Sequence, residues 1–234
     1  MFHCASRSSI QEAGIPVIIV DLLHNWYSKL FYAVRWNGCI SAYFTADSGV
    51  RQGSCISAAI FNVFVNLFIT RLRDLGVGCC IWSIFLGCIL YTDDMLLLSP
   101  TVNGLQNMLD KCAEVASILS LEFNVTKSQC VVIEKMCKSE IMPMNLNGNA
   151  VIWCETIKYL GVHLKSDRCV KFNISHTKKN FYAACNSIFI HRPSHGVNDI
   201  ALLHLQESYS LSVIMYAIPA LSLTNRQVKE LNVC

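Results

Sequence analysis

The chain has 234 residues, 53% of them hydrophobic and only 15% charged, with 19 Lys and Arg against 16 Asp and Glu for a net charge of +3. That length and apolar content suffice for a sizeable core and exclude intrinsic disorder, while so small a net charge does not by its sum announce a nucleic-acid binder. The longest apolar stretches, residues 79–91 and 55–70, are interrupted by Ser83 and Gly87 or carry Asn62 and Asn66, and so fall short of the roughly 20 clean apolar residues of a membrane span.

Residues 15–32 predict a helix opened by Pro16 in its first turn. Residues 34–44 are strand-like, with Gly38 marking a hairpin turn, and residues 49–54 (GVRQGS) form a loop. Ser57 is placed to cap a helix over 58–72, where Ile60, Val63, Phe64, Leu67, Phe68 and Leu72 recur at helical spacing. Residues 79–98 predict a pair of apolar strands bent at Tyr91-Thr92-Asp93-Asp94. After Pro100 comes the clearest amphipathic helix, with a stripe of Val102, Leu105, Met108, Leu109, Cys112, Val115, Ala116 and Leu119 suited to lie against a sheet. Short strands at 122–125 and 129–134 and a hairpin across Asn147-Gly148-Asn149 follow.

Composition shifts near residue 155. Between Thr156 and Arg192 the cations are Lys158, Lys165, Arg168, Lys171, Lys178, Lys179 and Arg192, and Asp167 is the single acid. Residues 197–221 read as a hydrophobic helix or helix pair. The 13 cysteines are scattered, with no CxxC and no histidine at zinc-ligand spacing, and residues 1–11 lack a signal-type apolar run. Reduced, mostly buried thiols in an intracellular, reducing compartment are expected. Neither the seven histidines nor Trp26, Trp36, Trp82 and Trp153 form a metal or cofactor pattern, although Trp36 on its hairpin is placed to stack on nucleic acid.

Chemistry concentrates at Asp93 and Asp94. Two carboxylates held at the rim of an apolar hairpin repel each other unless a cation intervenes, and Mg²⁺, which takes oxygen ligands and keeps waters for phosphates, suits them. The plain alternative is a solvated Asp-Asp turn. The order of motifs tips the balance: Arg51-Gln52-Gly53-Ser54 before a helix, Tyr91-Thr92-Asp93-Asp94 between strands, an amphipathic helix, Glu122 to Ser128, then Lys158-Tyr159-Leu160-Gly161-Val162. This series resembles the reverse transcriptase domain of LINE-type (non-LTR) retrotransposons.

The resemblance implies an α+β fold, a polymerase palm of antiparallel sheet backed by helices over 1–155, with a primer-grip hairpin and helical thumb-like segment over 156–234 and the fingers missing. It implies an RNA-directed DNA polymerase with RNA template, DNA primer and dNTP as partners, no membrane, and Mg²⁺ or Mn²⁺ as cofactor. Asp93 and Asp94 match the catalytic, metal-binding acids. Arg51, Gln52 and Gly53 match the loop along template and nucleotide, and Gly53 would let backbone approach closely. Lys127 matches the basic residue near the nucleotide phosphates, with Asn124 holding its turn, and Tyr159, Leu160 and Gly161 match the primer grip. The basic span beyond would lie on the phosphates of an RNA–DNA duplex.

Relatives take a further Asp from a strand ahead of the first helix. Residues 1–10 hold no acid, Asp21 falls within the helical pattern, and Asp47 sits in a loop. A fragment truncated at both ends, inactive alone, is therefore expected, and a non-enzymatic nucleic-acid-binding remnant on the same fold is the alternative.

Overall fold

Pro16 stands at the N-cap of the first helix, α1 (Val17–Ser28), with φ −54°, so its missing N–H costs no helical bond. The computed structural model describes residues 14–45, 53, 55–133, 141–190, 198–216 and 218–233. The chain divides into two compact units, Met1–Ser128 with Met144–Val151, and Gln129–Pro143 with Ile152–Cys234.

In the first unit α1 ends four residues before the predicted boundary, because Tyr32 leaves the helix to exchange backbone bonds with Phe44 at 2.8 and 2.9 Å. Val20 and Leu23 bury against Ile60. The predicted hairpin follows as β1 (Arg35–Trp36) and β2 (Cys39–Ile40), turned by Asn37 at φ +46° and Gly38 at φ +80°, the pair of left-handed residues that such a two-residue turn demands. Helix α2 (Cys55–Asp74) starts ahead of the expected position, so Ser57 is not its cap but a buried residue inside the first turn. By length and composition Ile56–Asp74 is apolar enough to cross a membrane. Its Phe64, Val65, Phe68 and Leu72 are instead committed to the core.

Residues 79–98 form two hairpins where one pair of strands was expected: β3 (Cys80–Ile81) with β4 (Ile84–Phe85), then β5 (Cys88–Tyr91) with β6 (Asp94–Leu97). Gly87 separates them. A Cβ there would fall 2.5 Å from the Phe85 ring, so the chain passes only as glycine. The amphipathic helix is α3 (Val102–Leu119), started by the Thr101 side chain accepting from Gly104 N at 3.0 Å and stopped by Ser120 at φ +53°. Its Met108, Cys112, Val115, Ala116 and Leu119 bury against α2 as well as Cys88, Leu90, Met95 and Leu97 of the hairpin.

The predicted strand at 122–125 is not formed. Asn124 caps a single 3₁₀ turn, Val125–Lys127, and its side chain offers the local bonds that compete with a ladder. The Asn147-Gly148 hairpin appears as β7 (Met144–Leu146) and β8 (Asn149–Val151).

In the second unit the expected strand at 129–134 reduces, over its described residues, to Cys130 bridging Trp153. A three-stranded antiparallel sheet of β9 (Thr156–Tyr159), β10 (Val162–Lys165) and β11 (Lys171–Phe172) runs in the order β11-β10-β9. Helix α4 (Ser175–Ile190) buries Phe181 and Ala184. The hydrophobic segment beyond is a helical run, α5 (Asp199–Leu205) and α6 (Ser212–Met215), joined by a π turn, Gln206–Leu211. A last helix, α7 (Asn225–Leu231), has a capping box between Thr224 and Gln227. The class is α+β as expected, with the described strands in five small antiparallel sheets rather than one.

Candidate functional site

Asp93 and Asp94 sit where β5 turns into β6. The ladder pairs Cys88 with Leu97, Ile89 with Leu96, Leu90 with Met95 and Tyr91 with Asp94. Alternation puts Cys88, Leu90, Met95 and Leu97 on the face that enters the core, and Ile89, Tyr91, Asp94 and Leu96 on the outer face. The turn itself is Thr92-Asp93, and both acids are exposed. Thr92 takes φ +51°, an unfavourable conformation for a β-branched side chain. Its hydroxyl lies 2.7 Å from the Tyr91 carbonyl and 3.0 Å from Asp93 Oδ1, within donating distance of each. A rigid inner face thus carries a tight, strained tip that presents two carboxylates to solvent.

Other predicted residues of this unit hang on the same core. Gly53 precedes α2 with φ +81° and open space where a Cβ would stand. Its glycine is required by backbone conformation rather than by a close neighbour. Arg51 and Gln52 lie outside the described residues. Lys127, exposed, ends the 3₁₀ turn that Asn124 holds: Asn124 Oδ1 accepts from Lys127 N at 3.2 Å and from the Thr126 hydroxyl at 2.7 Å. Phe123, just before it, meets Phe68 of α2 edge-on with ring centres 5.7 Å apart, tying the turn to the helices that carry the hairpin.

Carboxylate oxygens are the donors Mg²⁺ prefers, and Asp93 and Asp94, adjacent in sequence and both exposed, carry them. Among the described residues no group of three His, Cys, Asp or Glu is placed to hold a metal. These residues thus fit part of a metal site. Asp21 lies in α1, as its helical pattern requires, and Asp47 lies outside the described residues.

In the second unit Tyr159, Leu160 and Gly161 occupy the β9–β10 hairpin. Leu160 at φ +45° and Gly161 at φ +79° make its two-residue turn, and a Cβ on Gly161 would stand 3.1 Å from the Tyr216 ring. Of the basic residues expected here, Arg192 lies outside the described residues. Lys171 pairs with Asp167, and Lys178 reaches Glu230 of α7 at 3.4 Å. Contacts with Lys171 and the Arg168 backbone hold the Asp167 carboxyl below the usual range. Glu230 is lowered by Arg226 and Lys178 in the same way.

Two histidines given only a bland role by sequence are brought together. His163 and His176 stack with ring centres 4.1 Å apart and planes within 11°. Burial, then His176, then Lys158 push the His163 pKa below its usual 6.5. Alternation through 156–165 across the Leu160-Gly161 turn puts Lys158 opposite His163, but no signal in sequence places His176.

Comparison with known proteins bears out the family resemblance. Residues 6–164 match the family described as reverse transcriptase (RNA-dependent DNA polymerase). The chain is 31% identical over 179 residues to the retrovirus-related Pol polyprotein from type-1 retrotransposable element R2 of Bradysia coprophila, a match covering 69% of this chain and 19% of that protein. It is 25% identical over 186 residues to the Pol polyprotein from type-2 retrotransposable element R2DM of Drosophila melanogaster, covering 73% of this chain and 17% of the relative. A transposon TX1 149 kDa protein of Xenopus laevis, itself uncharacterized, is 27% identical over 163 residues, covering 68% and 12%. The chain therefore spans less than a fifth of the curated relatives it matches. With its motifs in order and its matched region covering most of its length, the chain belongs to the reverse transcriptase family, in the branch of LINE-type retrotransposons.

Proposed function

We propose that this polypeptide carries the palm and thumb of an RNA-directed DNA polymerase, with a palm over 1–155 and the primer-grip hairpin and thumb over 156–234. The reading is carried by one observation: Asp93 and Asp94 stand exposed at the tip of a hairpin whose inner face is locked into the core. In this reading Asp93 and Asp94 hold a divalent ion, Mg²⁺ or Mn²⁺, which when bound helps activate a primer hydroxyl and stabilise the leaving oxygens. Gln52 and Gly53 line the template and incoming nucleotide, with Arg51 beside them. Lys127, on a turn that Asn124 fixes, offers an ammonium to the nucleotide phosphates. Tyr159, Leu160 and Gly161, around the tight Leu160-Gly161 turn, position the primer end.

Two neighbouring carboxylates are only part of a two-metal ligand set, which draws ligands from a second segment. In this reading the 234-residue polypeptide by itself binds an RNA–DNA duplex but does not extend it at a useful rate. A lost central ligand costs several kcal/mol of transition-state stabilisation, and each ~1.4 kcal/mol is tenfold in rate. Primer extension with Mg²⁺ or Mn²⁺, alongside salt-dependent duplex binding and an Asp93→Asn control, decides the matter. Binding without extension supports the reading. Extension abolished by Asp93→Asn supports the polymerase assignment and overturns the expected inactivity. Failure to bind duplex overturns the nucleic-acid role.

A further inference from the structure

The β9-β10-β11 sheet has two unlike faces. Its ladder pairs Tyr159 with Val162, Lys158 with His163, Ile157 with Leu164 and Thr156 with Lys165, and then Leu164 with Phe172 and Lys165 with Lys171. Cross-strand partners share a face, so Ile157, Tyr159, Val162, Leu164 and Phe172 make one apolar side. Lys158, His163, Lys165 and Lys171 make the other, with Thr156. His176, in the first turn of α4, stacks on His163.

Building on the nucleic-acid reading above, we propose that the stacked imidazoles of His163 and His176, with Lys158 and Lys165 on the same sheet face, form a phosphodiester-binding site whose affinity rises as the imidazoles take up a proton.

The charge environment is one-sided. His163 has Lys158 opposite it on β9 and His176 stacked on it from α4, with Lys165 of β10 and Lys171 of β11 on the same sheet face. The acid near this face, Asp167, is engaged by Lys171 and by the Arg168 N–H. Among the described residues no carboxylate pairs with Lys158, His163 or Lys165. Lys158 and Lys165 are exposed, and Lys165 lies two residues from His163, about 7 Å along the strand. The result is a short row of N–H donors without an acceptor of opposite charge.

Parallel imidazoles in van der Waals contact cannot both ionise cheaply, and burial, His176 and Lys158 each disfavour the charged form of His163. A phosphodiester beside them reverses the balance, since its negative charge favours the imidazolium. Proton uptake and anion binding must then strengthen each other by the same factor. The two imidazoles stack on each other, and the row's lysines address phosphate, which every nucleotide carries, so the site reads the backbone of a strand rather than its sequence.

The test uses the full 234-residue chain, with affinity for an RNA–DNA hybrid measured at constant ionic strength and histidine resonances followed by NMR. Affinity is expected to rise roughly tenfold between about pH 8 and about pH 5.5, and both histidine pKa values to move up on adding hybrid. The double variant His163→Asn/His176→Asn flattens the profile. His176→Gln, at an exposed position, does so in part without disturbing the sheet. Lys158→Gln weakens binding at both ends of the range. A flat profile for the unmodified chain, or a slope that survives the double variant, overturns the site. So does equal binding of poly-glutamate. If no hybrid binds at any pH, the broader nucleic-acid reading fails, and titration with inorganic phosphate alone then judges this site. An upward shift of the two histidine pKa values upholds it, and no shift ends it.

Discussion

Gln106 and Asn145, 39 residues apart in sequence, are joined in both directions: the Gln106 Nε2 donates to the Asn145 carbonyl at 2.8 Å, and the Asn145 N–H donates to Gln106 Oε1 at 2.8 Å. The side-chain amide of α3 thus stands in for a neighbouring strand along β7. Gln106 Nε2 also donates to Asp110 Oδ1 at 2.8 Å, one helical turn on, which holds the amide in place. Gln106→Ala is expected to destabilise the first unit by about 1–2 kcal/mol, at ~0.5–1.5 kcal/mol per lost bond. Urea denaturation measures the loss, and faster amide exchange at Asn145 locates it.

The tip of the β5–β6 hairpin holds Thr92 in the left-handed region at φ +51°. For a residue with a Cβ that conformation costs ~1–2 kcal/mol, and branching adds to it. Thr92→Gly should therefore raise stability by about 1 kcal/mol. Thr92→Val keeps the branch and loses the hydroxyl that faces Asp93, and is expected to be less stable than the parent chain. Thermal unfolding of the pair decides. A glycine variant that melts earlier would remove strain from the account of this turn.

Nine described cysteines are free, and they differ sharply in exposure. Cys39, Cys80 and Cys169 are exposed, whereas Cys88 and Cys112 are buried in the core between hairpin and helices. Burial pushes the Cys88 thiol up to about 11, and burial together with Cys88 pushes Cys112 up to about 12. Near neutral pH the buried pair has almost no thiolate, the species that reacts. Alkylation followed by peptide mass spectrometry should modify the exposed three first. Cys88 and Cys112 should react only as fast as the unit unfolds.

His163 has a folded-state pKa below its ordinary 6.5, caused first by burial, then by His176 and Lys158. Below pH 6.5 the unfolded chain therefore binds a proton that the folded chain refuses. Stability from this group is complete above that pH and declines as acid is added, until the folded-state pKa is passed. Denaturation of the free chain across this range should show the decline, and His163→Asn should reduce it. Saturating hybrid should offset it if the phosphodiester site forms.

Much of the local architecture was legible in the residues. Asn37-Gly38 and Asn147-Gly148 take the paired left-handed conformations their turns require, and both hairpins form. The α3 stripe of Met108, Cys112, Val115 and Leu119 is buried as its spacing predicts. Where sequence reading failed, a competing local or distant bond decided the outcome. Ser57 has the chemistry of a cap, but α2 begins before it. Residues 122–125 have strand composition, but Asn124 draws the backbone into a turn. Thr224 and Gln227 have capping-box spacing, and the box forms at the start of α7.

Sequence by itself determined the family: the order of Arg51-Gln52-Gly53, Asp93-Asp94, Lys127 and Tyr159-Leu160-Gly161 carries the resemblance, and residues 6–164 match the family. Tertiary structure decided what each residue faces. Sequence could not show that Asp94 stands on the outer side of its hairpin, since strand register is set by which face enters the core. Nor could it stack His163 on His176, because that contact depends on α4 folding back beside β10, and nothing in either residue's own neighbourhood encodes it.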